Sequence, residues 1–240
     1  MKNMTEKFKE ALVFATDKHK NQKRKGTDKP YIIHIYDVLE ILLENGANEK
    51  QLIAGALHDT IEDTDATLQE LAEKFGADIA EMVDILTEKK SLPYVERKRL
   101  QSLRLASASR EVKMIKCADC LANIRSTVKE IDQPNFWNRF NAPKSDIKRY
   151  YGDNIKAMSE LSTLPMYQEL KSLFGKVFEE KDHYCTDCAR MKRLPDPDLD
   201  DWFCDDEQKY VCGVNGRVLS VANRPYEKQI APKDCPLLDK

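Results

Sequence analysis

The 240-residue sequence has no apolar run approaching the roughly 20 residues needed to span a bilayer. Its lysine-rich start, Met1 to Glu10, lacks the apolar stretch of a secretory signal. These absences predict a cytoplasmic protein with no membrane partner. There is no internal repeat, low-complexity run or Walker-type glycine loop, which removes repeat arrays and P-loop chemistry. The net charge is only −2, too small for a global electrostatic footprint for nucleic acid, so any basic site has to be local. Cysteine is sparse in the first 180 residues, where only Cys117 and Cys120 occur, while five of the seven lie after residue 184. Without a secretion signal, that crowding argues for metal ligation over disulfides.

What is present describes a globular chain of one ordinary domain plus an appendage: 41% of residues are hydrophobic and 33% charged, enough for a real core. Residues 1–180 read as helical. Phe8, Leu12, Val13 and Phe14 follow helical spacing behind Thr5, and the helix ends at His19. Five cations follow within nine residues, Lys18 to Gly26. Pro30 fits the start of a second helix, which carries His34 and stops at Gly46. Thr67 and Glu70 have capping-box spacing, and further helices are predicted over 78–87, 111–125 and two stretches between Phe136 and Phe174. Half of the ten prolines lie in the last 46 residues, so residues 181–240 are expected to be irregular or β.

The most informative stretch is His58-Asp59-Thr60-Ile61-Glu62-Asp63. A continuous helix over 51–63 would stack His58 on Glu62 and Asp59 on Asp63, an acidic patch at the end of a helix where the macrodipole favours cations. A bound cation would resolve this; a solvated helix end is the bland alternative. Asp119 sits in an apolar stripe of Val112, Ile115, Ala118, Leu121 and Ala122, and a carboxylate there asks for a partner. Cys117 and Cys120 beside it read as small buried residues. The cluster Glu96 to Leu100 is as well explained by a solvated helix face as by a phosphate contact. His34, His58, Asp59 and Asp119 together are a nitrogen and oxygen set suited to manganese, iron or zinc.

The ordered series Phe14-Ala15 with His19, Gln22-Lys23-Arg24-Lys25, Pro30-Tyr31-Ile32-Ile33-His34, Ala56 to Thr64, Phe75-Gly76-Ala77, Leu92-Pro93, Glu96 to Gln101 and Lys116 to Arg125 resembles the HD-domain phosphohydrolases. Within them it resembles the small alarmone hydrolases of the metazoan SpoT-homologue type, across roughly residues 5–178. The resemblance implies an all-α HD-domain fold with one manganese ion, held by His34, His58, Asp59 and Asp119. It implies removal of the 3′-pyrophosphate from guanosine tetra- or pentaphosphate, with Glu62 and Asp63 handling the attacking water. Arg24, Lys25, Asn123 and Tyr150 match substrate-binding positions. Cys120 and Ala122 depart from the family, replacing a cation and a larger residue. No synthetase domain is recognisable. Other substrates that keep the same site are a deoxynucleotide or the 2′-phosphate of NADPH; a nucleotide-sensing protein without catalysis is the alternative from another class.

In the tail, Cys185, Cys188, Cys204, Cys212 and Cys235 offer ligands for a structural zinc ion in a small module spanning 181–240. Cys185-x-x-Cys188 is one tight knuckle; the second is missing, which leaves the ligand set open. Nucleic acid or protein contact by this module is the only macromolecular partner the sequence suggests.

Overall fold

Gly46 ends the second helix with a left-handed residue, φ +73°, a conformation glycine adopts without the clash a Cβ would bring. Its N–H bonds the Leu43 carbonyl and the Ala47 N–H reaches back to Leu42, the paired bonds of a Schellman stop. The computed structural model describes residues 5–88 and 90–178 in full and the backbone of three strands beyond them. The chain divides into two compact units, Met1–Glu179 and Glu180–Lys240.

The described residues of the first unit are helical. The helices are α1 (Glu6–Lys18), α2 (Ile32–Glu44), α3 (Glu49–Leu57), α4 (Thr60–Asp63), α5 (Leu68–Phe75), α6 (Ala77–Leu86), α7 (Tyr94–Ser107), α8 (Arg110–Glu130), α9 (Lys144–Ala157) and α10 (Pro165–Phe178). Short 3-10 turns lie at Phe136–Arg139 and Ser159–Leu161. Thr67 accepts from the Glu70 N–H to start α5, and Ser109 does the same from Val112 for α8. Asn48 and Gln51 form a full capping box at α3, a signal the sequence reading passed over.

Two expectations are corrected. Helix 51–63 is not continuous: α3 ends at Leu57, His58 and Asp59 form a turn, and α4 follows. The buried Thr60 hydroxyl takes the Leu57 carbonyl at 2.7 Å, which serves that helix end locally. The Asp63 N–H still bonds the Asp59 carbonyl at 2.9 Å, so the four-residue spacing survives. The apolar stripe on α8 is also too narrow a reading, since every residue from Val112 to Ala122 is buried. α8 packs against α2, α3, α6 and α10 and forms the axis of the unit. Around it lie the fully buried Ile35, Ile41, Leu42, Ile53, Leu57, Ile115, Leu121 and Ile124, a single core.

Among the described residues no helix is long and apolar enough to cross a membrane. In the second unit, β1 (Met191–Arg193), β2 (Glu207–Cys212) and β3 (Val218–Ala222) form an antiparallel sheet in the order β1-β2-β3. Cys185, Cys188, Cys204 and Cys235 lie outside the described residues, and Cys212 is described by its backbone alone.

Candidate active site

Three segments converge beside the middle of α8. α2 brings His34, the α3–α4 turn brings His58 and Asp59, and α8 brings Asp119. The two histidines are buried with ring centroids 5.4 Å apart. Nε2 of His34 lies 3.3 Å from Oδ1 of Asp119 and 3.7 Å from Oδ2 of Asp59. Nε2 of His58 lies 2.9 Å from Oδ2 of Asp59 and 3.9 Å from Oδ1 of Asp119.

Despite these short distances, neither Nε2 atom has a partner in hydrogen-bond geometry among the described residues. Two buried ring nitrogens aimed at two carboxylates without bonding them fit a divalent cation, and His34, His58 and Asp59 alone can bring one ligand atom each within 4.8 Å of one another. His58 donates from Nδ1 to the Gly55 carbonyl at 2.8 Å, the bond that leaves Nε2 as the free ligand atom of a neutral ring.

Electrostatics point the same way. Burial disfavours charge on His58, but Asp59 and Asp119 outweigh it and push the imidazole up to about 9. Burial holds His34 below its ordinary value. Burial opposes ionisation of both carboxylates as well, yet His58 holds Asp59 low and Lys116 holds Asp119 low. The proton on His58 is what a divalent ion would displace.

Around this cluster lies a cleft lined by Tyr31, Glu62, Asp63, Lys98, Lys116, Asn123 and Tyr150 among others. Glu62 accepts from the Glu88 N–H at 3.1 Å, and burial, reinforced by Asp59 and Glu88, pushes its carboxyl up to about 7. Asp63 accepts from Lys90 at 2.7 Å and from Gln22 at 3.0 Å. Asn123 donates to Oδ1 of Asp119 at 2.6 Å and accepts from Arg24 at 2.8 Å. Tyr150 donates to Gln101 at 2.8 Å. Of the sequence-predicted residues, Lys25 alone is not brought in: it is exposed on the loop before α2 and does not line the cleft.

Three participants were missed. Tyr31 donates its hydroxyl to Oδ2 of Asp59. Lys116 donates to Oδ2 of Asp119 at 2.8 Å. Lys98, from the cluster readable as a solvated face, stands 4.1 Å from the centroid of the Tyr150 ring and pairs with the buried Glu88. Position 120 carries no cation, but Lys98 and Lys116 put two ammonium groups on the same cleft. A usable signal for Lys98 was the uncharged Gln101 and Ser102 on its side of α7, both buried.

Comparison with known proteins gives the family. A family model described as an HD domain matches residues 11–138. The chain is 43% identical over 175 residues to the mouse guanosine-3′,5′-bis(diphosphate) 3′-pyrophosphohydrolase MESH1, covering 72% of this chain and 93% of that one. The Xenopus tropicalis protein of the same name is 44% identical over 119 residues, covering 48% of this chain and 66% of its own length. Among solved structures, a metazoan orthologue of SpoT that hydrolyses ppGpp superposes with a TM-score of 0.60 at 32% identity, covering 72% of this chain and 96% of the other. A match covering more than half the sequence, on the residues that build the cluster, means that this chain belongs to the HD-domain family.

Proposed function

We propose that the protein is a 3′-pyrophosphohydrolase of guanosine tetra- and pentaphosphate, using one manganese ion and acting in the cytoplasm. The observation that carries the reading is the grouping of His34, His58 and Asp59, with Oδ1 of Asp119 3.3 Å from Nε2 of His34 and with Glu62 and Asp63 lining the cleft around them. A nucleotide sensor has no need of that second carboxylate pair. The names of the mouse and frog relatives and of the SpoT orthologue support the substrate.

When bound, the ion lowers the pKa of water from about 15.7 toward neutrality and polarises the phosphoryl oxygen. The protein's own groups do the rest. Glu62 or Asp63 takes the proton of the attacking water, a step worth roughly a hundredfold to ten-thousandfold. The water oxygen joins the phosphorus attached to the 3′-oxygen, the bond to that oxygen breaks, the proton taken from the water is returned to the 3′-oxygen as a hydroxyl, and pyrophosphate departs from GDP, or from GTP when the pentaphosphate is the substrate. Lys98 and Lys116 neutralise charge developing on the pyrophosphate. Arg24 and Asn123, already bonded to each other, present donors to ribose and phosphates, with Tyr150 lining the same cleft as Asn123.

The test is purified protein with manganese against guanosine tetraphosphate, deoxynucleoside triphosphates and NADPH, with pyrophosphate and orthophosphate scored separately. Pyrophosphate from the alarmone, lost in Asp59→Ala, is the expected result. Orthophosphate from NADPH alone moves the reading to a 2′-phosphatase, and a fully active, metal-responsive Asp59→Ala overturns the site assignment.

The proposal extends to the tail. Residues 181–240 are read as a separate module, with structural zinc held among Cys185, Cys188, Cys204, Cys212 and Cys235 and with a partner surface for nucleic acid or protein. Elemental analysis of the purified chain finding no zinc removes that part without touching the catalytic reading.

A further inference from the structure

Both carboxylate oxygens of Asp119 are taken up by side chains of its own helix. Lys116 donates to Oδ2 at 2.8 Å and Asn123 donates to Oδ1 at 2.6 Å. The three residues are spaced three and four apart on α8, so the helix itself brings them onto one face. Oδ1 is also the oxygen that faces the histidines, 3.3 Å from Nε2 of His34 and 3.9 Å from Nε2 of His58. Lys116 has little freedom to leave: its side chain is 10% exposed, and its ammonium lies 5.6 Å from the centroid of the Tyr150 ring.

A carboxylate with no such neighbour can turn about its last torsion and offer either oxygen, or both, to a cation. With one lone pair of Oδ2 taken by the ammonium and one of Oδ1 by Asn123, the carboxylate is fixed in rotation, each oxygen keeps one lone pair, and Oδ1 is the oxygen that faces the histidines. We propose that Lys116 is a positioning residue that makes Asp119 a one-oxygen ligand, leaving a further coordination position for water or a substrate oxygen. This rests on reading the cluster as a divalent-metal site.

The sign of the effect separates positioning from charge balance. A positive charge beside a cation site repels the cation, so if Lys116 served only to balance charge its removal would tighten metal binding. If it holds Asp119 in place, removal weakens binding, because partners that orient metal ligands are typically worth roughly 10- to 100-fold in affinity.

The experiment titrates the full-length protein with Mn2+ and reads the free ion by electron paramagnetic resonance, for wild type, Lys116→Met and Lys116→Gln. Met keeps the length and loses the donor; Gln is neutral and keeps one. The expected result is Mn2+ binding weakened roughly 10- to 100-fold in Lys116→Met, with an unchanged circular dichroism spectrum, and within a few-fold of wild type in Lys116→Gln. If Lys116→Met does not fold, Lys116→Ala makes the same comparison. A folded variant lacking the donor that binds Mn2+ as tightly as wild type, or more tightly, overturns the proposal, even if its thermal midpoint has dropped. Wild-type protein that binds no Mn2+ overturns the metal reading as well, so the two failures are distinguishable.

Discussion

Tyr31 donates its hydroxyl to Oδ2 of Asp59, the same oxygen that lies 2.9 Å from Nε2 of His58. The tyrosine ring is held by the imidazole of His19, 4.9 Å away and tilted by 30°, and by the Arg24 guanidinium at 5.7 Å. Burial and the nearby Asp59 push the phenol well above its ordinary value, so it stays a donor at any working pH. Tyr31→Phe removes one oxygen and leaves the stack. The expected outcome is a loss of about 1.5–3 kcal/mol in metal-free stability, as for a hydrogen bond to a charged group, and roughly tenfold weaker Mn2+ binding. Chemical denaturation and ion titration measure the two separately. Unchanged metal affinity would show that His58 alone orients Asp59.

A site that holds two carboxylates and two unsatisfied imidazole nitrogens should gain stability when filled. An ion bound only by the folded state at a hundred times its dissociation constant adds about 2.7 kcal/mol. For a chain of this size that is a rise of roughly 5–10 °C in thermal midpoint. Manganese added to chelator-treated protein should produce it, and Asp59→Ala should abolish it. A shift of equal size in that variant would place the binding elsewhere, for example in the cysteine-rich tail.

Lys98 and Glu88 are paired within the cleft, and the carboxylate holds the ammonium against Tyr150. Lys98→Ala therefore removes one cation from the substrate's side and leaves the metal set intact. A charge-assisted contact of about 1.5–3 kcal/mol corresponds to roughly a 10- to 150-fold loss in kcat/KM. Steady-state kinetics on guanosine tetraphosphate check it, with Mn2+ affinity expected to hold. A loss below threefold would return Lys98 to a purely structural role with Glu88.

The contrast between Lys98 and the metal set says what the sequence can and cannot carry. His34 and Asp119 stand out in the sequence because each is the one residue of its type in an apolar helix, and His58-Asp59 because it follows an apolar lead-in; the fold brings the four together. Lys98 has Arg97 and Arg99 as neighbours, and the rotation of α7 about its axis turns Lys98 and Arg97 toward the buried Glu88 and leaves Arg99 exposed. That rotation is recorded by Gln101, Ser102 and Leu105, of which two are polar and so do not read as a core stripe. The α3–α4 break was hidden for another reason: the Thr60 hydroxyl serves the end of α3 by bonding a carbonyl within its own turn, and the spacing of apolar residues does not report such a bond. α8 is buried from Val112 to Ala122 on its polar face as well as its apolar one, because Lys116, Asp119 and Asn123 satisfy one another there, and side-chain polarity alone does not report that.

Cys117 and Cys120 are both buried, and neither forms a disulfide among the described residues. Burial, with Asp119 adding to it, pushes the Cys120 thiol up to about 12, and burial pushes Cys117 up as well. The thiolate is the reactive form, so a raised value means less of it at pH 8. Brief iodoacetamide treatment of folded protein at that pH, mapped by mass spectrometry, should leave both unmodified, and both should react in guanidinium. Rapid native labelling of Cys120 would mean the cleft opens further than its lining suggests.

Gly55 lies in the middle of α3, where alanine would ordinarily gain about 1 kcal/mol of helix propensity. Here a Cβ would meet Cδ1 of Leu42 at 2.6 Å and Cδ2 of Leu39 at 3.6 Å, with Leu42 fully buried and short of room to turn. Forcing a methyl into such a contact costs about 1–3 kcal/mol, so the balance is a net loss of up to about 2 kcal/mol. The same contact separates the helices that carry the two histidines, since His34 rides on α2 and His58 is tied by Nδ1 to the carbonyl of Gly55 itself. Pushing α3 away from α2 therefore widens the gap between His34 and His58 as well as loosening the core. Gly55→Ala is expected to lower the thermal midpoint and weaken Mn2+ binding together, whereas a cavity or clash remote from the site lowers the first alone. A variant at least as stable as wild type with unchanged ion affinity would mean that Leu42 turns aside without moving either helix, and that the glycine is not what sets the spacing of the histidines.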